Sequence, residues 1–290
     1  MNRTSIEYLD FSWNPIAMRC TPVSEGCLNC WHLRMCDRMA ANPVFSPEVR
    51  AAYAGEGPPV LIEKRLEEPL HRKKPSVIGV QFMGDLFHED VPDEFLWDVL
   101  NVMIKSPQHT FILLTKRPGK MAWFFKLFYG KFDATCVAPP ANIWLGITAE
   151  NQRCANERIP ILVKTPAAVR FVSVEPMLGP VDPTMVPSEN EKYPLLDALT
   201  GMRRRRVVGT YCSFDEDAYY AGETHGLDWV IAGFETGPKA RRSDFVWAYF
   251  LRDKCAETGT PFFWKRAGPG QKTPADLLVR QWFKEMQDGP

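Results

Sequence analysis

No apolar run in the sequence approaches the ~18 residues needed to cross a bilayer, so no membrane-spanning segment is expected. Net charge is also missing: Lys plus Arg number 35 and Asp plus Glu number 35. That excludes a histone-like or tail-driven nucleic-acid binder, whose affinity comes from bulk positive charge. It leaves room for a local basic patch. The first ten residues, Met1 to Asp10, carry no apolar signal core, and a cytoplasmic protein is the expectation. There is no low-complexity segment and no exact internal repeat. What is present is a 290-residue chain, 45% hydrophobic and 24% charged, the composition of a globular protein. It is long enough to bury a substantial core.

The eight cysteines are the first specific feature. In a reducing compartment they do not read as a disulfide framework. Cys20, Cys27, Cys30 and Cys36 fall within 17 residues, while Cys136, Cys154, Cys212 and Cys255 are scattered singly. Clustered thiols point to metal or redox chemistry, and scattered ones to small buried hydrophobes.

Six short runs are nearly continuously apolar: Val77–Phe82, Thr110–Thr115, Ile143–Thr148, Val169–Val174, Trp229–Gly233 and Pro261–Lys265. That suits strands buried on both faces, as in a parallel sheet. A further strand near Phe11–Met18 leads into Cys20. Helical patterns follow at Cys30–Ala40, after Asp90-Val-Pro-Asp93, and at Gly119–Phe128, Asn151–Val163 and Ser243–Thr258. Strand starts recur about every 30 residues, the length of a βαβ step. The chain therefore reads as one α/β domain of about six to seven parallel strands, a barrel or a doubly wound sheet. One step is about twice as long, which places an inserted loop, hairpin or lid at about 181–226. It holds Arg203-Arg-Arg-Arg206 and the acidic aromatic segment Phe214–Tyr220.

Cys20, Cys27 and Cys30 form the pattern C-x6-C-x2-C, just after a strand and before a helix. Three thiolates can hold three irons of a [4Fe–4S] cubane and leave the fourth iron open, whereas a closed cluster takes four cysteines. The same loop suits structural zinc, with His32 or Cys36 completing a tetrahedron. Spacing alone does not separate the two, and packing is the third reading.

Further motifs accompany the loop: Asp10-Phe-Ser-Trp-Asn-Pro15, Met83-Gly-Asp-Leu-Phe-His-Glu-Asp-Val-Pro92 and Leu114-Thr-Lys-Arg-Pro118. They continue through Asn142–Asn151, Arg170–Pro176, Leu227–Pro238 and Pro261–Lys265. In this order they resemble the phage-associated three-cysteine family of unknown function, which is radical S-adenosylmethionine (SAM)-like. The resemblance implies a partial (β/α) barrel of the radical SAM type. It also implies a cluster on Cys20, Cys27 and Cys30 whose open iron binds SAM and cleaves it to a 5′-deoxyadenosyl radical. An electron donor such as flavodoxin or ferredoxin is implied as partner. The first cysteine gap of six, where three is common in that class, keeps zinc open.

Other positions are carried over one by one. Gly84 and Asp85 match a segment that contacts the SAM amino group, with a turn or helix cap as the alternative for Asp85. Thr148, Glu150 and Asn151 lie where ribose contacts are expected, although Glu150 or Asn151 also reads as a helix cap. Gly233 and Glu235 resemble the glycine-containing strand along SAM, where glycine permits close backbone approach. Lys116, Glu175 and Lys265 are the catalytic candidates. With Arg117 and Arg266 they sit at strand C-terminal ends, where α/β barrels place their chemistry. Buried ion pairs are the alternative role for this group. His88 is either a proton donor or a hydrogen-bonded cap.

The phage setting implied by the resemblance suggests a modified thymidine or other nucleobase in phage DNA as substrate, in the cytosol of an infected bacterium. Arg203, Arg204, Arg205 and Arg206 are the phosphate-contact candidates, with a solvated surface strand as the alternative. A reading from another class is a zinc-stabilised binding or phage-defence module without radical chemistry.

Overall fold

The computed structural model describes residues 1–131, 140–191, 193–204, 219–221 and 225–283. The chain divides into two compact units, Met1–Gly146 and Ile147–Pro290.

The first unit contains strands β1 (Asn2–Arg3), β2 (Phe11–Trp13), β3 (Ile16–Ala17), β4 (Val60–Leu61), β5 (Val77–Val80) and β6 (Thr110–Thr115). Strand β7 (Ile143–Thr148) carries the boundary between the units. Sheet order here is β1-β2-β5-β6-β7. β2 pairs parallel with β5, and β5 with β6, while β1 closes the edge antiparallel to β2. β6 is buried at five of its six positions and β7 at all six, as continuously apolar strands require. The helices are α1 (Trp31–Ala40), α2 (Pro47–Ala54), α3 (Glu63–Leu66), α4 (Asp93–Ile104) and α5 (Pro118–Lys131). β3 and β4 make a separate antiparallel pair.

In the second unit β7 is followed by β8 (Val169–Val174), β9 (Val186–Pro187), β10 (Leu195–Asp197), β11 (Met202–Arg204), β12 (Tyr219–Ala221), β13 (Trp229–Ala232) and β14 (Phe262–Trp264). The order is β7-β8-β13-β14, with β8, β13 and β14 in parallel register. Its helices are α6 (Gln152–Val163) and α7 (Phe245–Thr258). Eight strands thus make up a mostly parallel, mixed α/β sheet, open at the edges β1 and β14.

Local chemistry sets several boundaries. α7 starts where Asp244 accepts from Val246 N–H (2.9 Å) and stops at Gly259, whose φ is +71°, the usual cap pairing. The expected strand Val77–Phe82 stops at Val80 because Gln81 turns to φ +53°. The Gln81 side chain then bridges to β3, accepting from Ile16 N–H (3.1 Å) and donating to Ile16 O (2.8 Å). The expected strand Phe11–Met18 splits into β2 and β3 across Asn14-Pro15, since proline offers no ladder donor. Pro92 is the N-cap of α4 rather than its first helical residue. Helices α2 and α3 were not legible in the periodicity.

The insertion is more regular than a loop. Strands β9 to β12 form a four-stranded antiparallel sheet of order β12-β11-β10-β9. Arg203 and Arg204 belong to β11, an inner strand paired with both β10 and β12. Arg205, Arg206, Cys136, Cys212 and the stretch from Phe214 to Ala218 lie outside the described residues.

Each unit has its own core. In the first, Trp13, Ile78, Phe111, Leu100 and Phe124 are buried, with Trp13 and Phe111 ring centroids 5.9 Å apart. In the second, Phe171, Trp229, Phe263 and Cys255 are buried, and Trp229 meets Phe263 edge-on at 6.0 Å.

Candidate functional site

The cysteine loop leaves β3 and enters α1. Glu25–Cys27 form a 3-10 turn, and Cys30 is the N-cap residue of α1. All three thiols are therefore on one loop; Cys27 is buried and Cys20 and Cys30 are half-buried. Burial, with Asp85 nearby, pushes the Cys20 thiol up to about 12; Arg117 pulls the other way, and Cys27 adds a further upward push. Cys20 and Cys27 are thus electrostatic neighbours. Among the described residues, no three His, Cys, Asp or Glu side chains are gathered tightly enough to hold a metal ion.

The two residues able to complete a zinc tetrahedron face each other. His32 Nε2 lies 3.3 Å from Cys36 Sγ and accepts from Cys20 N–H at 3.4 Å. Cys36 also donates to Met18 O (3.5 Å) and packs with Ala17, Ala52 and Tyr53, all fully buried. Burial, then Arg19, lowers His32 to about 4. Burial raises the Cys36 thiol to about 11. Cys36 therefore behaves as a packed core thiol.

The loop meets the C-terminal ends of β5 and β6. Asp85 Oδ1 accepts from Thr115 Oγ1 (2.7 Å) and Phe87 N–H (3.0 Å). Its Oδ2 accepts from Lys116 N–H (3.1 Å) and Arg117 Nη1–H (3.2 Å). A carboxylate offers about four acceptor sites, so the chain's own donors engage Asp85 in full. This is the capping role that the sequence left open. Gly84, beside it, has φ +134°, and a Cβ there would lie 2.9 Å from Met18 Cγ and Sδ. Its glycine is required by backbone conformation and by close packing. The buried His88 contacts the loop: Nε2 lies 2.8 Å from Thr21 Oγ1, and burial, then Arg117, lowers its pKa. Lys120 Nζ–H donates to His88 O (2.8 Å) and Val91 O (2.7 Å), pinning that turn.

The remaining candidates lie in the second unit. Glu150 is fully buried and accepts from Arg158 Nη1–H at 2.8 Å; the same nitrogen donates to Thr148 O at 2.7 Å. Asn151 is the N-cap of α6, its side chain accepting from Cys154 N–H (3.0 Å). Lys265 Nζ donates to Glu175 Oε2 at 2.7 Å in a mostly buried pair. A Cβ on Gly233 would lie 3.3 Å from Lys265 Cβ and 3.5 Å from Glu175 Oε1. Gly233 thus leaves room for that pair. Glu235 is clamped by Arg241, whose N–H, Nε–H and Nη2–H reach its oxygens at 2.6–2.9 Å. The sequence reading missed Arg158 and Arg241. Arg158 had a signal: it falls on the apolar stripe Ala155, Ile159 and Leu162 of α6, where an arginine needs an acidic partner.

A family model described as a protein of unknown function (DUF5131) matches residues 3–286. The chain belongs to this family. No curated protein matches, and no solved structure matches. Among the described residues, no helix is long and apolar enough to cross a membrane.

Proposed function

We propose that this protein is a radical SAM-type enzyme whose open α/β sheet is a partial barrel of that type. In this reading Cys20, Cys27 and Cys30 hold the cluster. What supports the reading is the loop itself, which carries Cys20, Cys27 and Cys30 between β3 and α1 while Cys36 packs as a core thiol against Ala17, Ala52 and Tyr53. Three thiolates suit a [4Fe–4S] cluster with one open iron; the cluster would have to draw the three together, since they are not gathered as they stand. Structural zinc would instead take His32 or Cys36 as its fourth ligand, and metal analysis separates the two. Bound there, the cluster would supply one electron for reductive cleavage of SAM, delivered by a donor such as flavodoxin or ferredoxin.

The chain's own residues bind and orient. Gly84 keeps the turn after β5 close to Met18, and Asp85 organises the loop around itself. Glu150 and Glu235 present carboxylates fixed by Arg158 and Arg241. Gly233 opens space beside Glu175 and Lys265, the pair proposed to handle protons on the substrate. The substrate proposed is a modified thymidine or related nucleobase in phage DNA, in the bacterial cytosol. The run Arg203 to Arg206 is proposed as its phosphate contact; Arg203 and Arg204 belong to β11, and Arg205 and Arg206 lie outside the described residues.

Anaerobic purification tests the reading. About four iron and four sulfide per chain, lost in C27A, is the expected result; one zinc and no iron overturns it. SAM cleavage that yields no DNA-dependent product removes the nucleic-acid substrate. If β11 contacts phosphate, R203E/R204E weakens DNA binding and flattens its salt dependence.

A further inference from the structure

Arg117 is the charged residue tied most closely to the cysteine loop. A guanidinium carries five N–H donors, and each of those of Arg117 ends on an atom of this chain. Nε–H donates to Glu89 Oε2 (2.7 Å). Nη1 serves Asp85 Oδ2 (3.2 Å) and Cys20 Sγ (3.6 Å). Nη2 serves Thr21 O (3.0 Å) and Thr21 Oγ1 (2.9 Å). No donor remains for a ligand, although Arg117 sits at a strand end where α/β barrels place their chemistry. Its side chain is only 6% exposed, so water does not compete strongly for these contacts.

The partners show what the residue does. Asp85 fixes the guanidinium from below and is itself held by Thr115, Lys116 and Phe87. The upper edge of the guanidinium reaches Cys20 and Thr21, two consecutive residues at the start of the loop. His88 reaches Thr21 from a second direction. The first thiol of the loop is therefore fastened to the end of β6 through Arg117, across 97 residues of sequence.

We infer that Arg117 is the positioning residue of the cysteine loop. It clamps the Cys20–Thr21 segment and directs a cationic N–H donor at Cys20 Sγ. The clamp stands on the contacts alone; its electronic consequence rests on the three-cysteine cluster proposed above. Hydrogen bonds and positive charge near a ligand sulfur stabilise the more negative, reduced cluster and raise its potential. Lysine cannot replace arginine here, because a single ammonium cannot span Glu89, Asp85, Cys20 and Thr21 in one plane.

Two variants of the full chain test this, R117K and R117Q, with far-UV circular dichroism as the folding control. R117K retains a cation beside Asp85 and keeps the experiment interpretable if R117Q fails to fold. In metal-free protein, backbone hydrogen exchange over residues 20–30 is expected to accelerate by on the order of tenfold or more in R117K, the loss of at least one charge-assisted hydrogen bond. In anaerobically reconstituted protein, the cluster potential is expected to shift to more negative values, further in R117Q than in R117K. Unchanged exchange in a folded variant overturns the clamp. Accelerated exchange with an unchanged potential overturns the contact to sulfur. Failure of wild-type protein to take up iron overturns the cluster reading and with it the electronic consequence, while the exchange experiment still decides the clamp.

Discussion

Replacing Arg158 with methionine removes the guanidinium from a carboxylate that has no access to water. Glu150 is 0% exposed at its side chain and Arg158 is 6% exposed. Two short hydrogen bonds vanish, 2.8 Å to Glu150 Oε2 and 2.7 Å to Thr148 O. Removing one partner of a buried ion pair costs about 3–5 kcal/mol, because the other charge stays desolvated. With a urea slope of about 2–3 kcal/mol per molar, the unfolding midpoint should fall by about 1–2.5 M. The double variant E150Q/R158M removes both charges while keeping the shape of the carboxylate. It should recover about 2 kcal/mol of that loss, a coupling of the size seen for contacting residues. The assay is urea unfolding followed by circular dichroism for wild type, E150Q, R158M and the double variant, without SAM. A cost below about 1 kcal/mol for R158M, or a double variant no more stable than R158M, refutes the desolvated-pair argument.

Gly84→Ala should destabilise by about 1–3 kcal/mol, since it combines φ +134° with a 2.9 Å approach to Met18; M18A/G84A should recover the clash portion only, read by thermal unfolding. The buried His109, whose Nε2 lies 3.1 Å from Pro69 O, has its pKa lowered by burial, with hydrogen bonds to the backbone of Pro69 and Arg72 acting the other way. The unfolded state therefore binds more protons below about pH 6.5, so stability falls as the pH drops through that value. H109Q should lose less between pH 7 and 5.5 than wild type, and equal slopes in urea titrations would sink this account. Native-state alkylation mapped by mass spectrometry should label half-buried Cys30 before Cys36 and Cys255; both of these are 0% exposed, with thiols pushed up chiefly by burial. Labelling of Cys255 at the Cys30 rate would contradict the packing role assigned to it.

The sequence by itself marked seven of the eight strands of the main sheet, because strands buried on both faces must be continuously apolar; the exposed two-residue edge strand β1 gave no such signal. Thr110–Thr115, Ile143–Thr148 and Val169–Val174 are strands at the expected residues. It also marked the cysteine loop, the insertion and the glycines at 84 and 233. Tertiary structure decided what these features touch. The charged partners of Asp85, Glu150, Glu175 and Glu235 lie 6 to 90 residues away along the chain, and apart from Arg158 on its apolar stripe the sequence marks none of these pairs. Four-stranded pairing in the insertion depends on backbone register between strands of two or three residues, too short for periodicity to show. Cys36 and Cys30 look alike as thiols, and only the packing of α1 on α2 makes one a core residue and leaves the other on the loop. Local chemistry is written in sequence because it depends on neighbours along the chain; which thiol is reachable and which charge is paired depend on burial, which exists only once the chain has folded.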